Sequence, residues 1–186
     1  FIIFAVEIYI IHKGKDMEKN KPISVAFEDI RNNPDFIEHS EYRFINDDLG
    51  MVISFQAMGF RLFRTQQPYR AKEGRIVRIM QGKGRISINL IEYEATAHDI
   101  IIIPDNSLIE ISEVSPAYEF QVIMPTTNFL PVLQNSILSE AYTRNGIRLS
   151  CNNEEWAHIS SFFSLLWNIL PVSYTHLRAH ETPEHL

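Results

Sequence analysis

Residues 75–124 read RIVRIMQGKGRISINLIEYEATAHDIIIIPDNSLIEISEVSPAYEFQVIM, a run of short apolar segments separated by turn residues. The segment Arg85–Ile91 alternates apolar with polar side chains, which is typical of a strand with one buried face. We predict that it forms a hairpin with Ile76–Met80 across a turn over 81–84. Four consecutive isoleucines, 100–103, lie between two turn signals and predict another strand, because β-branched residues favour strands. Two further strands are predicted over 108–111 and 118–124, so this stretch indicates a mostly β domain.

Upstream of this stretch, the sequence predicts three more strands, over Tyr42–Ile45, Met51–Phe55 and Phe60–Phe63. The residues 46–50 (NDDLG) are typical of a turn between the first two. The preceding segment, Pro22–Ser40, is mixed in composition and reads as a short edge element before the strands.

Three features resemble the core of a cupin, the small double-stranded β-barrel: Gly82-Lys83-Gly84, the run DIIIIP over 99–104, and the apolar strand that follows. The resemblance is to the sensor domain of AraC-type transcription regulators in particular, and it covers roughly residues 27–170. It implies a mostly β fold with C-terminal α, in which a jelly-roll barrel is followed by two helices. It also implies a small-molecule effector, such as a sugar or another polar metabolite, and a homodimer. The N-terminal arm of the family can close over the ligand.

Composition limits what this segment does. The chain has 186 residues, 45% of them hydrophobic, which is enough for one domain with a core. Its net charge is −6 and the sequence has no basic stripe, so the electrostatic footprint of phosphate binding is missing. We expect contact with DNA only through a C-terminal domain that this sequence lacks, and no membrane partner. The single cysteine, Cys151, excludes an internal disulfide and fits a reducing compartment, so we predict a cytoplasmic protein.

The two ends of the sequence are interpreted separately from the domain. Residues 1–11 are apolar except for Glu7, but a membrane-spanning helix needs about 20 residues. We interpret Met17 as the natural start and residues 1–16 as upstream sequence translated in frame. The alternative, the end of an anchor or signal peptide, lacks a basic region and a cleavage site.

At the other end, Val172–Thr182 resembles the conceptual translation of a transposon-end sequencing adapter. We therefore expect residues 171–186 to be an artefactual tail. For the same reason, the spacing of His176, His180 and His185 is not interpreted as a metal site.

The cupin resemblance allows a test for a metal centre, since metal-dependent cupins use a His-x-His pair, a glutamate and a later histidine. The pair falls on Tyr69 and Ala71, or on Pro68 and Arg70, and the glutamate and the last histidine fall on Arg75 and Ile109. These side chains do not form a metal-binding set. We therefore predict no metal, no cofactor and no enzymatic activity, and we interpret His98 as a solvated turn residue.

If the register follows the family, odd-numbered residues of the strand after Gly74 face the barrel interior, and the same parity places Ile109 and Ile111 inside. The predicted ligand-binding residues are Arg75, Tyr69, Ile109, Ile111, Glu119 and Gln121. Period 2 does not decide whether Glu119 and Gln121 face the pocket or lie solvated on the outer face. Arg75 and Glu119 would suit a polar ligand, or could pair with each other.

Two helices are predicted after the barrel. The first is capped by Thr126 or Thr127 and begins near Asn128, and the second begins at Asn152 with Glu155 completing a capping box. An apolar stripe on the second helix, which ends near residue 170, is assigned to dimerisation, with packing on the chain's own barrel as the alternative. The stripe consists of Trp156, Ile159, Phe163, Leu166 and Leu170. We therefore divide the chain into a barrel with its arm, 17–125, and a helical dimerisation or linker segment, 126–170.

Two functions from different classes follow from these observations. The first is the effector-sensing and dimerisation domain of an AraC-family regulator without its helix-turn-helix domain. The second is a small cupin enzyme, an isomerase or dioxygenase, that holds its metal by an unusual ligand set, and a third is a free-standing sugar-binding cupin. The missing histidines favour the sensor, and metal content after purification would separate the first two.

Overall fold

The computed structural model describes residues 21–32, 40–54, 56, 64–126 and 147–180, which are mostly β-strand followed by one long helix. Labels below number the described elements in chain order. The strands are β1 Ile23–Val25, β2 Arg43–Ile45, β3 Leu49–Val52, β4 Pro68–Ala71, β5 Arg75–Gln81, β6 Lys83–Ile88, β7 Ile91–Thr96, β8 Asp99–Ile103, β9 Leu108–Val114, β10 Glu119–Pro125 and β11 Ile147–Ser150. The α-helices are α1 Phe27–Arg31 and α2 Asn153–His180, and a short 3-10 helix covers Ser40–Tyr42. The predicted strand Phe60–Phe63 and the predicted helix near Asn128 lie outside the described residues.

The strands form two sheets that pack face to face. The first sheet has the order β1-β4-β9-β6-β7 and the second has the order β11-β8-β5-β10-β3-β2. Only the β1–β4 pair is parallel among the described pairs. The core draws apolar side chains from both sheets, for example Ile88 of β6 and Ile79 of β5, both fully buried. The mostly β, cupin-like barrel followed by a helix is therefore confirmed.

The predicted hairpin between β5 and β6 is wrong, because the two strands belong to different sheets. β5 pairs with β8 and β10, whereas β6 pairs with β7 and β9. The chain passes between the sheets at Gly82, which has a φ of +77°. A Cβ at this position would lie 2.8 Å from the backbone nitrogen of Tyr118, so both the conformation and the space favour glycine.

The hairpin that does form joins β6 to β7 through a two-residue turn. Asn89 and Leu90 both have positive φ, +50° and +70°, which is the geometry of a type I′ turn. The strand predicted over Arg85–Ile91 is therefore interrupted at these two residues. Asn89 secures the turn by accepting a hydrogen bond from the backbone N–H of Leu108 at 2.9 Å, whereas the side chain of Leu90 is 82% exposed.

The isoleucine strand β8 is buried along its whole length and lies between β5 and β11. Strand β11 was not predicted from the sequence. Asp99, at the start of β8, accepts hydrogen bonds from the backbone N–H of Thr96 (2.7 Å), from Arg148 Nε (2.9 Å) and from Ser150 Oγ (2.6 Å). Burial by itself raises the pKa of Asp99, but these donors outweigh it and the pKa is lowered. The carboxylate thus joins β11 to the turn before β8.

Helix α2 starts as predicted. The Asn152 side chain accepts hydrogen bonds from the backbone N–H groups of Glu154 and Glu155, and Glu155 accepts one from the backbone N–H of Asn152 at 2.8 Å. This is a reciprocal capping box. The helix continues to His180, ten residues past the predicted end. Its first turns pack on the outer face of the six-stranded sheet, where Phe163 contacts the buried cluster of Leu49, Met51 and Ile123. Within the described residues, no helix has both the length and the hydropathy that a membrane span needs.

Candidate functional site

A cavity of about 70 Å³ lies between the two sheets. Its walls come from β5, β8 and β10 on one side and from β6 and β9 on the other, with Val52 of β3 and Ile30 of α1 completing them. The side chains that line it are almost all isoleucine, valine, phenylalanine and methionine. Such an interior follows from strand geometry, because every second residue of each strand points to the same face of its sheet.

The alternation on β5 agrees with the predicted register, and on β10, whose inward face the sequence left open, the even-numbered residues face the cavity. Arg75 and Val77 of β5 line the cavity, as do Phe120, Val122 and Met124 of β10. The residues between them point the other way, towards α2. The open question about Glu119 and Gln121 is therefore answered, since both lie on the outer face.

Arg75 is the only charged residue among the described residues that line the cavity. It is 5% exposed, its Nε is buried without a hydrogen-bond partner, and its guanidinium makes no hydrogen bond to any described residue. Burial lowers the pKa of Arg75 to about 10, and the charge of Glu73 opposes this shift. At neutral pH the group is still a cation. It is therefore a desolvated positive charge at the wall of an apolar space, and none of the described residues supplies the acceptors that such a group normally has.

The N-terminal arm forms part of the cavity wall. Strand β1 pairs in parallel with β4 at the edge of the five-stranded sheet, so the predicted edge element is present. Helix α1 follows it, and Phe27 and Ile30 on its inner side are each 4% exposed. Glu73 holds this helix in place, because its Oε2 accepts a hydrogen bond from the backbone N–H of Phe27 at 2.8 Å. Closure of the arm over a ligand stays a prediction.

Half of the predicted ligand residues come together in the cavity. These are Arg75, Ile109 and Ile111. Tyr69 is buried but does not line the cavity, and its hydroxyl accepts a hydrogen bond from the backbone N–H of Arg64 at 2.6 Å.

Outside the barrel, Glu119 accepts hydrogen bonds from Ser54 Oγ at 3.2 Å and from the backbone N–H of Gln56 at 3.1 Å. Glu119 therefore does not pair with Arg75, although the sequence allowed that pair.

The sequence analysis did not assign Ile30 and Tyr118 to the cavity. Tyr118 falls within the strand predicted over 118–124, and it is buried and lines the cavity. Burial raises the pKa of Tyr118, and the charge of Asp99 adds to the effect, so the phenol stays protonated at neutral pH. The period-2 pattern could have included Tyr118, which shares the parity of Phe120. No local pattern could have included Ile30, which lies far from the barrel strands in the sequence.

A second buried arginine, Arg78, lies on the opposite face of β5 and was also missed. Its Nε donates a hydrogen bond to Gln121 Oε1 at 2.8 Å. Its guanidinium carbon lies 4.4 Å from the ring centroid of Phe163 and 5.4 Å from that of Trp156. Burial lowers the pKa of Arg78 to about 10. His98 stacks on the same Trp156 ring at 4.7 Å, so it is a packed turn residue and not the solvated one we expected.

The predicted dimerisation stripe faces the chain's own sheet. Phe163 is 4% exposed, and Ile159, Leu166 and Leu170 are half-buried around the same cluster. Trp156 packs on His98. This placement corresponds to the alternative given for the stripe, and a role of these five residues in dimerisation stays a prediction. Among the residues of α2 whose side chains the structure describes, the large apolar ones left in solvent are Phe162 (59% exposed), Leu165 (57%) and Ile169 (48%).

The cupin resemblance assigns the metal positions to Arg75, Ile109 and a pair that is either Tyr69 and Ala71 or Pro68 and Arg70. Of these residues, Arg75 and Ile109 line the cavity. In the described part of the chain, no three histidine, cysteine, aspartate or glutamate residues are grouped as metal ligands would be. The donor chemistry of this cavity thus fits an anion better than a metal cation.

Comparison with protein-family models finds no match, and no curated protein matches the chain. Solved structures do match. Unsaturated-fatty-acid-bound ToxT from Vibrio cholerae is 13% identical, with 71% of this chain and 57% of that chain covered and a TM-score of 0.40. The EutQ protein of Clostridium difficile is 18% identical, with 46% and 66% covered and a TM-score of 0.36. A cupin protein from Bacteroides fragilis is 19% identical, with 44% and 69% covered and a TM-score of 0.34.

This chain spans about half the length of the ToxT structures that it matches. The functional argument below therefore rests on the residues of this chain.

Proposed function

We propose that this chain is the effector-sensing domain of an AraC-type transcription regulator, a binding module and not an enzyme. The observation that supports a binding role is the cavity between the sheets, which combines an apolar lining with one desolvated guanidinium, Arg75. Small-molecule sites are usually apolar concave spaces with a few polar groups that orient the ligand. The assignment to the AraC type rests on the sequence resemblance over residues 27–170. DNA contact then belongs to a further domain.

In this proposal the N-terminal arm connects ligand binding to the surface of the domain. Ile30 touches the cavity, and Glu73 holds the start of α1 beside the strand that carries Arg75. A ligand changes the equilibrium between two conformations only if it binds them unequally. The arm is one element that such a ligand would contact directly.

A second part of the proposal is that the domain forms a homodimer through the exposed side of α2. Phe162, Leu165 and Ile169 are spaced by three and four residues and lie on one side of the helix, next to the face that packs on the sheet. Burying such side chains against a second copy would gain roughly 1.5 to 3 kcal/mol each before the cost of association. Weak, concentration-dependent dimerisation is the expected behaviour.

Ligand binding is tested with the cavity-filling variant Ile111→Phe, because Ile111 lines the cavity yet is only half-buried. We expect small molecules that raise the melting temperature of the unmutated chain to lose this effect in the variant. Leu90→Phe is the matched control, since Leu90 is exposed on the β6–β7 turn. If the same compounds stabilise both variants equally, the cavity is not the binding site.

Dimerisation is tested by comparing Leu165→Glu with Leu149→Glu in sedimentation experiments at about 100 μM, a concentration at which weak interfaces are occupied. Both leucines are about half exposed, but Leu149 is on β11 and not on α2. We expect only Leu165→Glu to convert a dimer into a monomer. A strict monomer in the unmutated chain would remove this part of the proposal.

A further inference from the structure

The cavity wall carries a buried positive charge that has no hydrogen-bond acceptor among the described residues, and this charge determines which ligands suit the cavity. The Arg75 guanidinium has no hydrogen-bond acceptor among the described residues and its Nε is fully buried. Glu73 is the acidic residue whose charge acts on Arg75, but no ion pair joins the two side chains. Its Oε2 accepts a hydrogen bond from the backbone N–H of Phe27. Burying an ionised group without partners is costly, and an anion that binds there removes that cost.

Guanidinium geometry favours particular anions. The planar N–H fork of arginine matches a carboxylate or a phosphate through two parallel hydrogen bonds. A phosphate would carry more negative charge and more acceptor oxygens than a single arginine and the Tyr118 hydroxyl could satisfy in this lining. A carboxylate has one charge and two oxygens, which Arg75 alone can accommodate.

The remainder of the lining determines the rest of the ligand. Apart from Arg75 and Tyr118, the described residues that line the cavity have apolar side chains. A sugar would bury several hydroxyl groups against isoleucine and valine without partners, which is unfavourable for each group. An aliphatic or aromatic tail gains free energy from the same surface. The volume of about 70 Å³ is small compared with the roughly 300–1,000 Å³ of pockets for drug-sized ligands, so the tail is short.

We propose that the effector is a small monocarboxylate with a short apolar tail, whose carboxylate binds the guanidinium of Arg75 and whose tail lies between the two sheets. This inference rests on the proposed function, since it names the ligand class of the same cavity. It replaces the sugar that the sequence suggested with a different chemistry.

Calorimetric titration of the full chain with acetate, butyrate, hexanoate and octanoate tests the proposal, with hexanamide as the neutral isostere and arabinose and glucose as sugars. We expect affinity to rise with chain length and then fall once the tail exceeds the cavity. Hexanamide is expected to bind at least about tenfold more weakly than hexanoate, because hydrogen bonds to a charged group are worth more than neutral ones.

Two arginine variants locate the carboxylate. Arg75→Met should weaken hexanoate binding about ten- to a hundredfold, whereas Arg85→Met, on the exposed side of β6, should leave it unchanged. A melting temperature of Arg75→Met equal to or above that of the unmutated chain would show that the loss is not unfolding.

The outcomes separate the two proposals. One outcome is that a sugar or hexanamide binds, that Ile111→Phe abolishes this binding, and that Arg75→Met does not weaken it. In that case the carboxylate inference is overturned and the sensor proposal stands. The carboxylate inference is also overturned if hexanoate binds equally to the unmutated chain and Arg75→Met. If no acid, amide or sugar binds the unmutated chain, both proposals are contradicted.

Discussion

The two faces of β5 each carry a buried arginine, and the two arginines differ in what surrounds them. Arg78, on the outer face, donates to Gln121 and lies over the rings of Phe163 and Trp156. Arg75, on the inner face three residues earlier, makes no hydrogen bond to any described residue. Burial lowers the pKa of both to about 10, although at Arg75 the charge of Glu73 opposes part of this lowering. The two side chains differ in their partners. Arg78 has a hydrogen bond and two aromatic rings, although its Nη1 is also buried without a hydrogen-bond partner, whereas Arg75 has no hydrogen bond to a described residue.

The partners of a buried arginine distinguish a charge that stabilises the fold from a charge that binds a ligand. A buried cation that stabilises a fold is expected to have acceptors or aromatic faces from its own chain, since otherwise its desolvation is not offset. A buried cation that serves a ligand is expected to lack them until the ligand binds. The predictions that follow test whether the outer face behaves as a structural interface and the inner face as a site.

The largest expected effect is at the outer face, in Phe163→Ala. Phe163 is 4% exposed and its ring packs on the sheet beneath α2 and against the Arg78 guanidinium. Deleting it should cost about 3–5 kcal/mol of unfolding free energy, the usual range for a buried phenylalanine. Urea denaturation measures this. The neighbouring Phe162→Ala is the control and should change stability by less than about 0.5 kcal/mol, because Phe162 is mostly exposed. Equal losses would mean that α2 does not dock on the sheet through Phe163.

The second effect concerns Asp99, a buried charge whose partners are all supplied by the chain. Asp99→Asn should lower the unfolding free energy by about 1–3 kcal/mol at pH 7, since it weakens charge-assisted hydrogen bonds from Arg148, Ser150 and Thr96.

The same carboxylate predicts a pH dependence with a definite sign. The folded-state pKa of Asp99 is lowered, so its contribution is fully present above the unfolded value of about 4 and is lost as the pH falls through the folded pKa. The stability difference between the unmutated chain and Asp99→Asn should therefore shrink below about pH 4. Urea denaturation at pH 7, 5, 4 and 3 checks this, and a difference that grew towards acid pH would contradict it.

A third test changes the two arginines in the same way. Arg78→Met should lower stability by about 1–2 kcal/mol, because it removes the hydrogen bond to Gln121 and the contact with two aromatic rings. Arg75→Met should be neutral or stabilising by up to about 1 kcal/mol, since it replaces an unpaired charge with an apolar side chain in an apolar cavity. Thermal unfolding of the ligand-free variants gives both values. Similar losses in both would show that Arg75 has a structural partner.

The smallest effect lies away from both arginines, at the β6–β7 turn. Leu90→Gly should stabilise the chain by about 0.5 kcal/mol. Holding leucine at a φ of +70° costs more free energy than ordering the more flexible glycine backbone on folding. The side chain is 82% exposed, so little packing is lost. Leu90→Ala keeps the Cβ and should bring no gain. A shift of one or two degrees in melting temperature is the expected readout, and a loss of stability in Leu90→Gly would mean that Leu90 makes contacts beyond the turn.

The sequence predicted the positions of the strands better than it predicted which strands pair with each other. The alternation in 85–88 and 119–124 is visible in the residues themselves, because a strand places successive side chains on opposite faces. The capping box of Asn152 and Glu155 is equally local, and it forms as expected. Arg75 was assigned to the interior by the register that the family resemblance implies, and it lines the cavity. The hairpin between β5 and β6 was wrong, since adjacency in the sequence does not decide which sheet a strand joins.

The amino-acid sequence by itself determined the strand periodicity and the start of α2, because both depend on backbone geometry within a few residues. Only the tertiary structure decided that Gly82 carries the chain from one sheet to the other and that Ile30 closes the cavity. It also decided that Glu119 pairs with Ser54 and Gln56 and that Arg75 has no acceptor among the described residues. Those outcomes depend on contacts between residues far apart in the chain, which form only when both sheets close around a common core.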